Sequence, residues 1–137
     1  MTPDSVFSIA NTLALLTWIA LIVFQRRTWA TNVAVIGVVS IFAAMYAGII
    51  GTQWFGSAGG FSSLAAVALL FGNPWLLVAG WVHYLAFDLL VGRWEAQDAA
   101  LRGLSPWLVA PCLFLTFMFG PAGWLCYVLL RRTRASA

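Results

Sequence analysis

Long apolar runs separated by short polar segments dominate the hydropathy pattern of this sequence. Residues 6–24 contain no charged side chain and are followed by Gln25-Arg26-Arg27, and residues 33–50 form a second uncharged run. A helix needs about 20 apolar residues to cross the hydrocarbon core of a bilayer. Both runs are therefore predicted to be spanning helices.

A third span is predicted over residues 74–92. Asn73-Pro74 is a strong helix start, because asparagine caps the free N–H groups and proline fits the first helical position. The helix can continue as far as Arg102, a length of about 43 Å that exceeds the hydrocarbon core. Its second half, residues 93–98, should therefore emerge among the lipid headgroups.

The last span is predicted over residues 107–130 as one helix that begins after Ser105-Pro106. Pro111 and Gly120-Pro121 should kink this helix, because proline removes a backbone hydrogen bond.

The two cysteines, Cys112 and Cys126, both fall on this last helix. Fourteen residues of one helix separate them by about 21 Å, which is beyond the reach of a disulfide. Both are predicted to be packing residues.

Residues 61–71 are apolar but short, and Ser62 and Ser63 interrupt them. A segment of this length is predicted to be interfacial or re-entrant rather than spanning. The alternative is a true fifth span from Trp54 to Gly72. The predicted fold class is thus an all-α, polytopic membrane helical bundle with about four transmembrane helices and one short additional segment, in a single domain over residues 1–137.

Composition and charge support a membrane protein. Hydrophobic residues make up 63% of the chain and charged residues 8%, too few for a surface that faces water. The start lacks the basic region of a signal peptide, so a retained first helix is expected. The basic residues are all arginines and lie at segment ends, which is typical of interface anchors and not of a nucleic-acid groove: Arg26, Arg27, Arg93, Arg102, Arg131, Arg132 and Arg134. With four spans, four arginines lie on one side of the membrane and three on the other. With five spans, the division is five against two. The orientation of the chain in the membrane therefore stays open.

Small residues recur along one face of the second span, at Ala44, Ala47, Gly48 and Gly51. Small residues four apart let two helices approach closely in lipid. This face is therefore predicted to be a tight helix contact.

His83 and Asp88 are the side chains in the spans that could transfer a proton near neutral pH. Five helical residues place them about 140° apart, whereas Asp88 and Glu95 share a face. Two interpretations stay open. Both groups could be interhelical hydrogen-bond donors and acceptors, with Asn11, Thr116 or Tyr127 as partners. Alternatively, they form an acid–base pair that lines a pocket for an apolar ligand, with Asp88 held protonated. No metal site is predicted, because the spacing matches no ligand pattern.

Two motifs resemble the abscisic-acid-deficient-four-like family. The first is GWVHYLAFDL at residues 80–89, followed by Arg93 and Asp98; the second is PCL at residues 111–113, followed by GPAG at residues 120–123. The resemblance covers about residues 60 to 130. Its plant members are the neoxanthin synthases of plastids, which isomerise the epoxycarotenoid violaxanthin to allenic neoxanthin.

The resemblance implies roles for six residues of this stretch. Asp88 and His83 would be the catalytic acid–base groups, since epoxide opening needs a proton donor and allene formation needs a base. The candidate ligand-binding residues are Trp81, Tyr84, Arg93 and Asp98. Such a reaction would need no redox cofactor.

Because the sequence shows no plastid transit peptide, we expect a bacterial relative in the cytoplasmic membrane, with another carotenoid or isoprenoid as substrate. Three hypotheses remain: a carotenoid isomerase-like membrane enzyme, a non-catalytic carotenoid- or lipid-binding protein, and a small membrane subunit. The candidate partners are membrane lipid, an apolar isoprenoid or carotenoid ligand, and a second copy of the chain. No nucleic acid is expected as a partner.

Overall fold

The computed structural model describes residues 1–135, with side chains as far as Thr133, so the side chain of Arg134 lies outside the described residues. All regular structure in this range is helical, which confirms the predicted fold class. The helices are α1 (Pro3–Val23), α2 (Val35–Gln53, preceded by a π-helical turn over Trp29–Ala34 and followed by a 3₁₀ turn over Trp54–Gly56), α3 (Leu64–Leu70), α4 (Pro74–Leu101), α5 (Pro106–Phe119) and α6 (Pro121–Ala135).

Three helical segments of the described chain are long and apolar enough to cross a membrane, namely Pro3–Val23, Trp29–Gly56 and Pro74–Leu101. The start of α4 forms as predicted, because the Asn73 side chain accepts a hydrogen bond of 2.9 Å from the Trp75 N–H. Gly103 follows its end with a φ of +68°, a backbone conformation that glycine adopts without strain.

Helix α4 is the central element of the bundle. It runs parallel to α1, since the rings of Phe7 and Trp81 lie 5.6 Å apart and Trp18 packs against Gly92 near the other end. A Cβ atom at Gly92 would overlap the Trp18 ring, so this glycine makes room for the indole. Helix α2 runs antiparallel to α4, because its preceding turn contacts Arg93 and its middle contacts His83.

The last predicted span is not one continuous helix, and this prediction was wrong. The chain reverses at Gly120, which has a φ of +45°, and α5 and α6 pack side by side as a helical hairpin. The sulfur atoms of Cys112 and Cys126 lie 3.4 Å apart, compared with about 21 Å along a single helix. Gly123 of α6 rests directly on the backbone of Thr116, because it carries no Cβ atom.

The hairpin does not reach across the bundle. Helix α5 has 14 residues and α6 has 15, so they are about 21 and 22 Å long and both shorter than the hydrocarbon core of about 30 Å. Its tip at Gly120 touches Asp88, close to the midpoint of α4. The hairpin therefore enters from the end where α4 finishes and returns to that end.

The segment between α2 and α4 also returns to the end from which it leaves. The Asn73 Nδ2 atom donates a hydrogen bond of 3.0 Å to Ser57 Oγ, so these two residues lie together. Helix α3 between them has only seven residues. A crossing by residues 61–71, as in the five-span layout, does not fit this geometry.

The small-residue face of α2 makes no tight contact with the other residues that the structure describes, so the prediction of a helix contact inside the bundle was wrong. Ala44, Ala47 and Gly48 are exposed, and a Cβ atom at Gly48 or Gly51 would meet nothing within 4 Å. The buried side chains of α2 lie seven residues apart on another face, at Val35, Phe42 and Ile49.

The six described arginine side chains gather at one end of the bundle, because α5 and α6 start and finish at the same end. Arg26 donates to the Leu104 and Ala100 carbonyls, Arg93 to Asn32, and Arg102 and Arg131 to Asp98. Arg27 follows Arg26, and Arg132 follows Arg131. We call this the arginine end.

We expect the arginine end to face the cytoplasm, because positively charged loops are retained there. A fluorescent protein fused to the C-terminus should therefore fluoresce, and a C-terminal alkaline phosphatase fusion should be inactive. Fusions at the N-terminus, on the opposite side, should give the reverse pattern. Phosphatase activity from the C-terminal fusion would contradict the hairpin topology or its orientation.

The hairpin also predicts a cross-link between its two helices. Mild oxidation with copper–phenanthroline should join Cys112 to Cys126 within one chain, since their sulfur atoms are already in contact. Peptide mass spectrometry detects this link, and Cys126→Ser is its control. Only intermolecular disulfides, or none, would favour a continuous last helix.

Candidate functional site

Asp88 is the buried carboxyl group at the centre of the bundle. It is 8% exposed, and its Oδ2 atom has no hydrogen-bond partner among the described residues. It lines a cavity of about 330 Å³ together with Val91, Gly120, Pro121 and Trp124. Trp124 is 44% exposed, so this cavity opens at the outer surface of the bundle. None of the other lining side chains is charged, which makes Asp88 the reactive group of the cavity.

The tip of the hairpin positions the cavity over Asp88. A Cβ atom at Gly120 would lie 2.8 Å from Asp88 Oδ1, and the positive φ of this residue also favours glycine. Pro121 then starts α6 and offers no N–H group to the carboxyl. At the hairpin tip the carboxyl group therefore meets bare backbone.

Glu95 is a second buried carboxyl group, on the same face of α4 as Asp88. It is 0% exposed, so the prediction that residues 93–98 all emerge among headgroups was wrong at this position. Thr116 Oγ1 lies 2.9 and 3.0 Å from its two oxygens and 3.0 Å from the Cys112 carbonyl oxygen. A hydroxyl has one hydrogen, so Thr116 can donate it either to the Glu95 carboxyl group or to the Cys112 carbonyl oxygen.

Trp81 and Tyr84 line a groove between α1 and α4. The Trp81 Nε1–H donates a hydrogen bond of 2.8 Å to Asn11 Oδ1, and the two aromatic rings lie 5.3 Å apart. Phe117 and Met118 at the end of α5 close a cavity of about 320 Å³ here. Because the hairpin stops halfway, the α1–α4 surface beyond it stays uncovered. Tyr84 precedes Asp88 by one helical turn, so it lies between this groove and the cavity at Asp88.

His83 does not share the cavity of Asp88. Its side chain is exposed on the outer face of α4, between the rings of Tyr46 at 5.6 Å and Phe87 at 4.6 Å. The expectation that both titratable groups line one internal pocket was therefore wrong for His83. His83 and Asp88 point about 140° apart on α4, and α5 and α6 cover only the Asp88 side. His83 therefore stays on the outer face.

Arg93 and Asp98 lie at the arginine end and away from Trp81 and Tyr84. Arg93 donates to Asn32 Oδ1 at 2.8 and 3.2 Å. Asp98 Oδ2 accepts hydrogen bonds from Tyr127 at 2.6 Å, Arg102 at 2.8 Å and Arg131 at 3.3 Å. These contacts tie the start of α2 and the end of α6 to α4, so the six predicted site residues are not brought together.

The candidate hydrogen-bond partners of His83 and Asp88 bond to other side chains. Asn11 bonds to Trp81, Thr116 to Glu95 and Tyr127 to Asp98. The role of Glu95 could have been found from its spacing, because residues seven apart share one helix face. The contact between Gly120 and Asp88 had no local signal beyond the Gly-Pro pair.

Comparison with known proteins gives a family match. The family described as ABA DEFICIENT 4-like matches residues 5–127 of this chain. No curated protein and no solved structure matches it.

Proposed function

We propose that this chain, which belongs to the ABA DEFICIENT 4-like family, is a membrane protein that binds a carotenoid or related isoprenoid lipid and isomerises it by proton transfer at Asp88. The observation that carries the proposal is the cavity at the hairpin tip. It holds one buried carboxyl group, whose Oδ2 has no partner, between apolar walls that open on the outer surface. Membership of this family suggests a relation to neoxanthin synthase-like proteins. This relation supports a carotenoid or related isoprenoid as the class of ligand.

The ligand would reach Asp88 from the lipid phase. The surface along α1 and α4 is apolar and aromatic, with Phe7, Trp81 and Tyr84 in sequence toward the hairpin tip. An elongated polyene could lie along this uncovered surface, because the hairpin fills only the other half of the bundle. One end of the ligand would then meet the hairpin tip.

A single carboxyl group can perform both proton transfers. A neutral Asp88 would donate its proton to an oxygen of the ligand as the carbon–oxygen bond opens. The carboxylate would then take a proton from a neighbouring carbon, which forms the new double bond and restores the acid. The reaction is an isomerisation with no net gain or loss of electrons, so it consumes no oxidant. His83 could take part only with a ligand that also covers the outer face of α4.

The second candidate function is binding without catalysis. It is favoured by the absence of a second titratable side chain among the residues that line the Asp88 cavity. Asp88 would then donate a hydrogen bond to a polar end group of the ligand, and the protein would store or carry it.

Mass spectrometry of lipids that copurify with the protein tests the proposal. We expect an isoprenoid or carotenoid in the purified sample, and a product of equal mass after incubation with an epoxycarotenoid. Retention without conversion would favour the binding protein. A sample free of isoprenoids that also fails to bind added carotenoid would contradict both functions. We further expect the chain in the bacterial cytoplasmic membrane.

A further inference from the structure

A polar cavity lies at the arginine end, far from Asp88. It has a volume of about 430 Å³ and lies between the end of α1, the π-helical turn and the end of α4. Its polar lining residues are Gln25, Arg26, Thr28, Thr31, Asn32 and Gln97, and Ala100 and Leu101 complete it. No carboxyl group lines this cavity, so it suits an anion.

Two hydrogen-bond donors in this cavity have no acceptor within residues 1–135. Asn32 Oδ1 accepts from Arg93 at 2.8 Å and from Gln97 at 2.8 Å, which fixes the amide with its Nδ2 atom turned away from both. That NH₂ group makes no hydrogen bond, and neither does the hydroxyl group of Thr28. Asn32 is half-buried and Thr28 is exposed, so both donors are open to a ligand that enters the cavity.

The charge of Arg26 adds to these donors. Its guanidinium binds the carbonyl oxygens of Ala100 and Leu104, and no carboxylate lies within ion-pair distance of it in the described chain. A guanidinium has five N–H groups, so these two contacts leave further donors for a ligand. The positive charge at the cavity is therefore not neutralised by the protein.

The position of the cavity identifies the source of the anion. It lies where α1 ends and α2 begins, beside the half-exposed Trp29, at the level expected for lipid headgroups. The adjoining π-helical turn is a feature that often marks functional sites. We propose that this cavity binds the phosphate group of an anionic phospholipid, with Arg26, Thr28 and Asn32 as ligands. This site is separate from the proposed isoprenoid function and does not depend on it.

Native mass spectrometry of the full chain in a neutral detergent tests this site. Phosphatidylglycerol should bind more tightly than phosphatidylcholine, which carries the same phosphate without the net charge. Asn32→Asp keeps an oxygen for Arg93 and Gln97 but replaces the donating NH₂ with a negative oxygen. We expect it to raise the Kd for phosphatidylglycerol about tenfold or more.

The control is Gln53→Glu, which adds the same charge at the opposite end of α2 and should change the Kd less than about twofold. Thr28→Val is a second variant for the case that Asn32→Asp does not fold, and it should weaken binding about fivefold. Equal binding of the two lipids by the wild type, or equal weakening by Asn32→Asp and Gln53→Glu, would overturn the site. Full competition by glycerol phosphate, which has no acyl chains, would show that the site binds a soluble phosphate and not a lipid.

Discussion

Asp88→Asn should abolish conversion of the isoprenoid ligand while the ligand remains bound. Asparagine has nearly the same shape as aspartate and can still donate a hydrogen bond, but it has no transferable proton. General acid–base catalysis contributes about 10²- to 10⁴-fold, so the rate should fall by at least two orders of magnitude. Chromatography of the product against time measures the rate, and extraction of the purified protein measures the bound ligand.

Asp4→Asn is the matched control, because it makes the same change at an exposed position in the first turn of α1. It should keep the wild-type rate. The thermal stability of Asp88→Asn should differ from that of the wild type by no more than about 1–2 kcal/mol, as expected for one polar contact within a membrane bundle. Full activity of Asp88→Asn would remove Asp88 from the mechanism.

The largest effect on stability is expected from Gly123→Ala. The added methyl group would overlap the backbone nitrogen of Thr116, which cannot move away as a flexible side chain could. The two hairpin helices must then separate, at a cost of about 1–3 kcal/mol. Thermal unfolding in detergent measures this loss. Separation should also displace Gly120 from Asp88, so the conversion rate should fall as well.

Gly48→Ala is the control for this change, since it makes the same substitution within another helix. A Cβ atom at Gly48 would meet nothing within 4 Å, and alanine favours helix over glycine by about 0.5–1 kcal/mol. The melting temperature of Gly48→Ala should therefore stay equal or rise slightly. Equal destabilisation by both variants would show that α2 packs on its small-residue face and that the hairpin contact is not special.

The helices were predictable because their signals are local. Asn73-Pro74 caps α4 where the sequence indicates, and the apolar runs set the length of the spans. Gly120-Pro121 predicted a kink in the last helix, but the angle between α5 and α6 depends on the contact between Gly123 and Thr116. A pattern along one helix cannot show such a contact between two helices.

The candidate site was predictable only in part, for the same reason. Asp88 and His83 carry similar local signals, and only the placement of the hairpin decides that one is buried and the other exposed. Glu95 has Arg93 and Asp98 beside it, which suggested a headgroup environment. The hairpin returns over its face of α4 and buries it against Thr116. The small-residue face of α2 has the pattern of a helix contact, but it makes none with the part of the chain that the structure describes.

Labelling with dicyclohexylcarbodiimide tests most directly that Asp88 is a neutral carboxyl group open to the lipid phase. This apolar reagent modifies protonated carboxyl groups that it can reach from the membrane. Peptide mass spectrometry of the labelled chain should show modification at Asp88, reduced when a carotenoid is bound, and none at the fully buried Glu95. An unmodified Asp88, under conditions that label a known intramembrane carboxyl group in the same vesicles, would contradict the account.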